Sequence, residues 1–219
     1  GQVTLAETLS GKGYDTAAFV SSFVLDARFG LDQGFATYDD RVQAPPGPAF
    51  AGGSNERPGA ATTDAALAWL GSRQTQRPFF LWVHYFDPHA PYAPPPPFAE
   101  NFAGRLYEGE IAAMDVQVGR LLDALKTAGQ RDQTLVIVIG DHGESLGDHA
   151  EATHSGFIYR PVMDVPFIVV NPRLVPRPGV VDTGGVSTAD VTPTVLDLRG
   201  VQDGRARDGV SLVQERPDR

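Results

Sequence analysis

The chain has 219 residues, 42% hydrophobic and 21% charged, which is long and apolar enough for one large core and argues against a disordered chain. Its formal net charge of −9 and lack of any Lys/Arg run argue against nucleic acid as a partner, so any bound anion must be held by local groups. No apolar run reaches the roughly 18 residues of a membrane helix, the opening GQVTLAETLSGKG lacks the basic-then-apolar order of a signal peptide, and zero cysteines exclude disulfides and zinc-thiolate sites.

Helical and strand patterns alternate along the chain. Thr4 to Lys12 predicts a helix stopped by Gly13, followed by a short strand from Thr16 to Val20. Residues 43–60 are rich in Pro and Gly and predict a surface loop. A helix from Thr63 to Arg73, capped by Thr62 or Thr63, leads to a strand from Phe79 to Tyr85. Phe86 to Gly104 contains PHAPYAPPPP, which cannot pair as a central strand and predicts an extended loop. The longest helix, Leu106 to Ala128, carries Ile111, Met114, Val118, Leu121, Leu122 and Leu125 on one stripe and ends at Gly129. A strand from Leu135 to Ile139, uncharged and expected to be buried on both faces, precedes a His-bearing loop; Val165 to Val170 completes a βαβ-type series. The last helix spans Val191 to Arg199, with Asp190 or Thr188 as N-cap. The pattern has no internal repeat and no domain-sized linker, so residues 1–219 read as one α/β domain.

Candidate site residues lie at strand ends. Every histidine falls between His84 and His154, and three of the five lie in the run TLVIVIGDHGESLGDHAEATHSG. Asp141 and His142 follow the predicted strand at once, on a turn where carboxylate and imidazole can converge on one divalent cation. The imidazole favours zinc, manganese or iron over calcium. The competing structural reading has Asp141 capping a turn and His142 buried and hydrogen-bonded. His89, stiffened by prolines on both sides in DPHAPY, suits anion binding or proton transfer, against the commoner reading of an inert loop histidine; His154 in THSG has the same two readings. His149 reads as solvated or supporting, and His84 as a core histidine. Asp115 shares a face with Ile111, Met114, Val118 and Leu122 and is expected to be buried, held by backbone donors.

Five segments in order, FFLWVHYFDPHAPY, YEGEIAAMDVQVGRLLDAL, TLVIVIGDHGESLGDH, VPFIVVNP and STADVTPTVLDL, resemble the sulfatase branch of the alkaline phosphatase superfamily. The opening TLAETLSGKGYDTAAFVSS fits the same resemblance. It implies an alkaline-phosphatase-like fold with a mostly parallel central sheet flanked by helices. It also implies hydrolysis of a small-molecule or glycan sulfate ester with a divalent metal, by family habit calcium. The metal ligands of the family map onto Asp141 and His142. Many members carry Asp-Asn there, and the histidine is similar to members that also hydrolyse phosphate or phosphonate esters. The His of the family's Pro-His-x-Pro motif maps onto His89, at the sulfuryl group or leaving oxygen. His154 takes a position where many sulfatases place a lysine, as anion contact or leaving-group acid.

The family's nucleophile, a Cys or Ser in Cys/Ser-x-Pro-x-Arg that becomes formylglycine, has no counterpart among these residues. Nor do the two acidic ligands of its first strand. The chain therefore reads as a partial catalytic domain, with the N-terminal metal and nucleophile segment and the smaller C-terminal subdomain missing, and is expected to be inactive alone. Hydrolysis of phosphate or phosphonate esters, or a noncatalytic scaffold role, are the alternatives. The resemblance implies a periplasmic or extracellular location. Asp141, His142, His89 and His154 are expected to converge at the C-terminal edge of the sheet.

Overall fold

The computed structural model describes residues 3–42, 56–74, 76–154, 156–175, 179–180 and 185–213. Packing divides the chain into two compact units, residues 1–124 and 125–219.

In the first unit α1 (Leu5–Gly11) starts where predicted. Thr4 Oγ1 accepts from Glu7 N at 3.0 Å while Glu7 Oε2 accepts from Thr4 N at 2.8 Å, a reciprocal cap that satisfies two end donors. β1 (Asp15–Phe19) lies centrally in a parallel sheet, between β2 (Thr37–Asp39) and β3 (Phe79–Val83). Its Ala17, Ala18 and Phe19 are buried, as a central parallel strand requires. Ala66 of α2 (Gly59–Ser72) packs on Ala17 and Phe19, joined by Trp69, Leu81, Val83 and Leu121. Gly34 sits at φ +85°, and a Cβ there would lie 2.1 Å from the Glu7 amide nitrogen, so glycine alone permits this approach to α1.

Several expectations are corrected here. α2 begins at Gly59, so Thr62 and Thr63 are not caps; both are fully buried, because α2 starts a turn earlier and turns them inward. Thr62 Oγ1 meets Ser21 Oγ at 2.7 Å, and Thr63 Oγ1 bonds the Gly59 carbonyl and Tyr85 Oη. The predicted loop of residues 43–60 falls largely outside the described residues. The proline-rich loop after β3 does form, interrupted by the single-turn helix α3 (Phe98–Asn101). Along α4 (Leu106–Thr127) the buried positions include Glu110, Ala113 and Leu125, whereas Ile111 is exposed. Asp115 is likewise exposed, not buried: two residues past Ala113 is roughly 200° around a helix, the opposite face.

At the end of β2, Asp39 is buried beside Arg41 and Arg57. The Arg41 guanidinium, helped by the Arg41 amide and by Arg57, outweighs burial and holds its carboxyl at about 2, below the usual 3.8. A depressed carboxyl stabilises the fold fully above its unfolded value and loses that contribution as pH falls from about 4 through about 2. Because Arg41 is largely exposed, the contribution is expected to be about 1–2 kcal/mol. Urea unfolding should therefore show a deficit for Asp39→Asn at pH 7 that shrinks toward pH 2; a pH-independent deficit would assign the loss to packing.

In the second unit β4 (Val136–Ile139) pairs with β5 (Phe167–Val170) in antiparallel register, Val136 opposite Val170 and Ile139 opposite Phe167. The predicted βαβ relation of these two strands is thus corrected: they pair antiparallel, and among the described residues between them the regular elements are a 3-10 turn (Asp148–Ala150) and the single-turn helix α5 (Arg160–Met163), not a helix long enough to pack across a parallel pair. β4 is half-buried rather than sealed on both faces. Asp190, one of the two predicted residues, holds the N-cap position of α6 (Val191–Leu198), without a capping bond from its side chain; the 3-10 turn before it (Thr188–Asp190) is capped by Ser187, whose side chain accepts from Ala189 N while Asp190 accepts from Ser187 N. Among the described residues, no helix is long and apolar enough to cross a membrane.

Candidate active site

His89 leaves the C-terminal end of β3, in the first unit. Its Nδ1 lies 2.7 Å from the Ala90 carbonyl, which can only accept, so Nδ1 carries a hydrogen and Nε2 keeps the lone pair of the neutral ring. The imidazole stacks on Phe86 at 4.1 Å. Sequence reasoning missed what holds this loop. Glu110, 3% exposed, accepts from His89 N at 3.1 Å and from Ala93 N at 2.6 Å. Burial, aided by the nearby charge of Asp87, pushes its carboxyl above the usual range despite those two donors. Burial and the charge of Glu56 likewise raise Asp87. No local signal marked Glu110: three before Ala113 it shares the inward face, but that face is defined only by the packing of α4.

Asp141, His142 and His154 belong to the second unit. Asp141 and His142 follow the C-terminal end of β4 on a turn locked by Gly143, whose N–H donates to Val162 O at 2.7 Å. A Cβ on Gly143 would lie 2.0 Å from the Pro161 carbonyl oxygen, so the turn can approach α5 this closely only with glycine. Asp141 is solvent-exposed rather than a cap for a following turn; its Oδ1 accepts from the adjacent His142 amide at 3.0 Å. His142 is part-exposed, not buried. Its Nδ1 donates to the Gly143 carbonyl at 2.9 Å, and its Nε2 lies 3.8 Å from Asp141 Oδ1.

His142 and His154 are brought together, ring centroids 4.0 Å apart. His154 Nδ1 in turn faces both oxygens of buried Glu144 at 3.3 Å. His149 stacks on Tyr159 at 3.9 Å and has φ +56°, outside this group. His84, expected in the core, is half-buried just after β3, its carbonyl accepting from Ser21 Oγ.

His89, His142 and His154 therefore share one feature, an Nδ1 anchored on an oxygen. Such anchoring fixes tautomer and ring orientation, as metal-binding and acid-base histidines need. The 3.8 Å between Asp141 Oδ1 and His142 Nε2 fits two donors on one cation. Among the described residues no group of three or more His, Cys, Asp or Glu side chains gathers to hold a metal, so other ligands would have to complete the sphere.

The family profile described as Sulfatase matches residues 1–201. The chain belongs to the sulfatase family. Among its relatives, this sulfatase chain is 27% identical over 205 residues to the multifunctional alkaline phosphatase superfamily protein PehA of Trinickia caryophylli. It is 26% identical over 196 residues to an arylsulfatase of Clostridium perfringens. Each match covers 69% of this chain and 40% of the relative, so the chain spans less than half the length of these relatives. The solved structure of BT4656, in complex with its substrate D-glucosamine-2-N,6-O-disulfate, superposes with a TM-score of 0.72 at 18% identity, covering 96% of this chain and 63% of that one. The fold is alkaline-phosphatase-like, and its position within the larger structure is that of a part.

Proposed function

We propose that the protein carrying this chain hydrolyses sulfate esters with a divalent metal, on small-molecule or glycan substrates. The carrying observation is the pair His142 and His154, ring against ring next to Asp141, in a chain matched by the sulfatase profile over nearly its whole length. In this reading Asp141 and His142 hold the metal through a carboxylate oxygen and Nε2. A cation there would stabilise charge on the nonbridging sulfuryl oxygens and lower the pKa of the attacking group, while His142 is kept in its binding tautomer by the Gly143 carbonyl. His89 and His154 meet the transferred group and the leaving oxygen, and their anchored Nδ1 atoms aim Nε2 as hydrogen-bond donor or acid when protonated. The attacking group is a formylglycine outside this chain, which has no cysteine. A nitrogen donor at His142 favours manganese or zinc over the calcium usual for the family. A periplasmic or extracellular location belongs to the same reading.

The intact protein should turn over an aryl sulfate, lose that activity to a chelator and regain it with manganese, zinc or calcium. Turnover confined to a phosphonate monoester or phosphate diester would replace the sulfate assignment. No turnover of any of these esters, with metal supplied, would favour a scaffold role.

A further inference from the structure

We propose that Glu110 is the positioning residue for His89, a clamp by which helix α4 sets the angle of the imidazole. This rests on the reading above, in that it takes His89 to be a catalytic group.

Three neighbouring contacts bind the loop to one stretch of α4. Tyr107 packs edge-on against Tyr92 at 5.4 Å. Gly109 lets the loop come close, since a Cβ there would lie 2.9 Å from Pro94 Cγ and 3.1 Å from Phe102 Cβ. Glu110 then spends both oxygens on the loop backbone, one on the amide of His89 and one on that of Ala93. The two amides flank the segment that carries the ring, so the carboxylate fixes the backbone on both sides of it.

The chemistry is costly for a simple loop tie. A buried carboxylate loses hydration, and two N–H donors return only part of that loss. A structural tie needs no charge, whereas a bidentate acceptor defines both the position and the angle of the His89 backbone. The ring adds its own restraints, Nδ1 on the Ala90 carbonyl and its face on Phe86, which fix it relative to that backbone. Nothing in this chain of contacts requires Glu110 to touch substrate. An error of about 1 Å in a reacting group can cost roughly a hundredfold in rate, so the clamp would be felt in turnover.

The test is a double-mutant cycle in the intact protein, with Glu110→Gln, His89→Ala and the pair, assayed on a sulfate ester. Glu110→Gln keeps the shape but replaces one of the two acceptors by an NH2 group that opposes an N–H. It is expected to lower kcat roughly tenfold or more with KM nearly unchanged, and to lower kcat no further in the His89→Ala background. A purely structural residue would instead reduce kcat by the same factor in both backgrounds, and that additivity overturns the proposal, as does an unchanged kcat in Glu110→Gln. If His89→Ala itself leaves kcat unchanged, the assignment of His89 falls and this inference with it, a result distinct from additivity. Melting curves accompany the cycle; should Glu110→Gln unfold below the assay temperature, Glu110→Asp, which keeps both oxygens, takes its place with the same two outcomes.

Discussion

In the intact protein His89→Ala and His154→Ala should each lower turnover by roughly 10²–10⁴, the span typical of a lost general acid or charge-stabilising donor, while KM moves only a few-fold. The asymmetry follows from when the charge appears. In the bound ester the leaving oxygen is nearly neutral, so a donor aimed at it gains little; as the bond to sulfur breaks, the oxygen becomes anionic and the same donor gains much. Both rings are held in place, His89 through the Ala90 carbonyl and the Phe86 face, His154 through Glu144. Steady-state kinetics on an aryl sulfate decides the matter. A variant with unchanged kcat removes its residue from the mechanism, and a variant with raised KM and unchanged kcat makes that residue a substrate anchor.

The second large effect is a loss of everything. The 219-residue chain made alone should hydrolyse neither sulfate nor phosphate esters, and should bind divalent metal weakly. Calcium takes about six to eight oxygen ligands and zinc about four ligands, whereas the candidate donors here are Asp141 and His142. Water would supply the remainder, and an exposed carboxylate with one imidazole competes poorly with full hydration. With no cysteine and no Ser-x-Pro-x-Arg, an ester bound there lacks its attacker. Titration calorimetry with calcium, manganese and zinc, run beside an aryl sulfate assay, checks both halves. Submicromolar affinity, or multiple turnover above a metal-only blank, would mean that other residues of this chain complete the site.

The sequence made the strand ends legible because two local signals coincide there. Val136 to Ile139 is an uninterrupted β-branched run, and Gly140-Asp141-His142-Gly143 breaks it abruptly, so both strand and candidate ligands could be read from residues that are neighbours in the chain. The prolines around His89 were equally plain. What could not be read depends on distant partners. Asp115 fits an apolar stripe by spacing, but the inward face of α4 is set by what packs on it, and that face centres on Ala113. Glu110 carries no local mark either, because its partners are backbone amides of a loop about 20 residues earlier. The threonines of α2 were misread as caps because Ser and Thr signal helix starts when seen alone; here their hydroxyls serve tertiary bonds instead. The pairing of β5 with β4 carries no local mark, since a half-buried strand has the same composition in either direction.

The hydroxyl of Ser21 has a reach beyond its size. It sits just past β1, bonded at once to Thr62 of α2 and to the His84 carbonyl just past β3. Strands usually fray at their tips, but these two are pinned together where they give way to irregular chain, and pinned to a helix as well. The Pro-rich span carrying His89 thus leaves the sheet from a fixed point and is held a second time by Glu110 of α4.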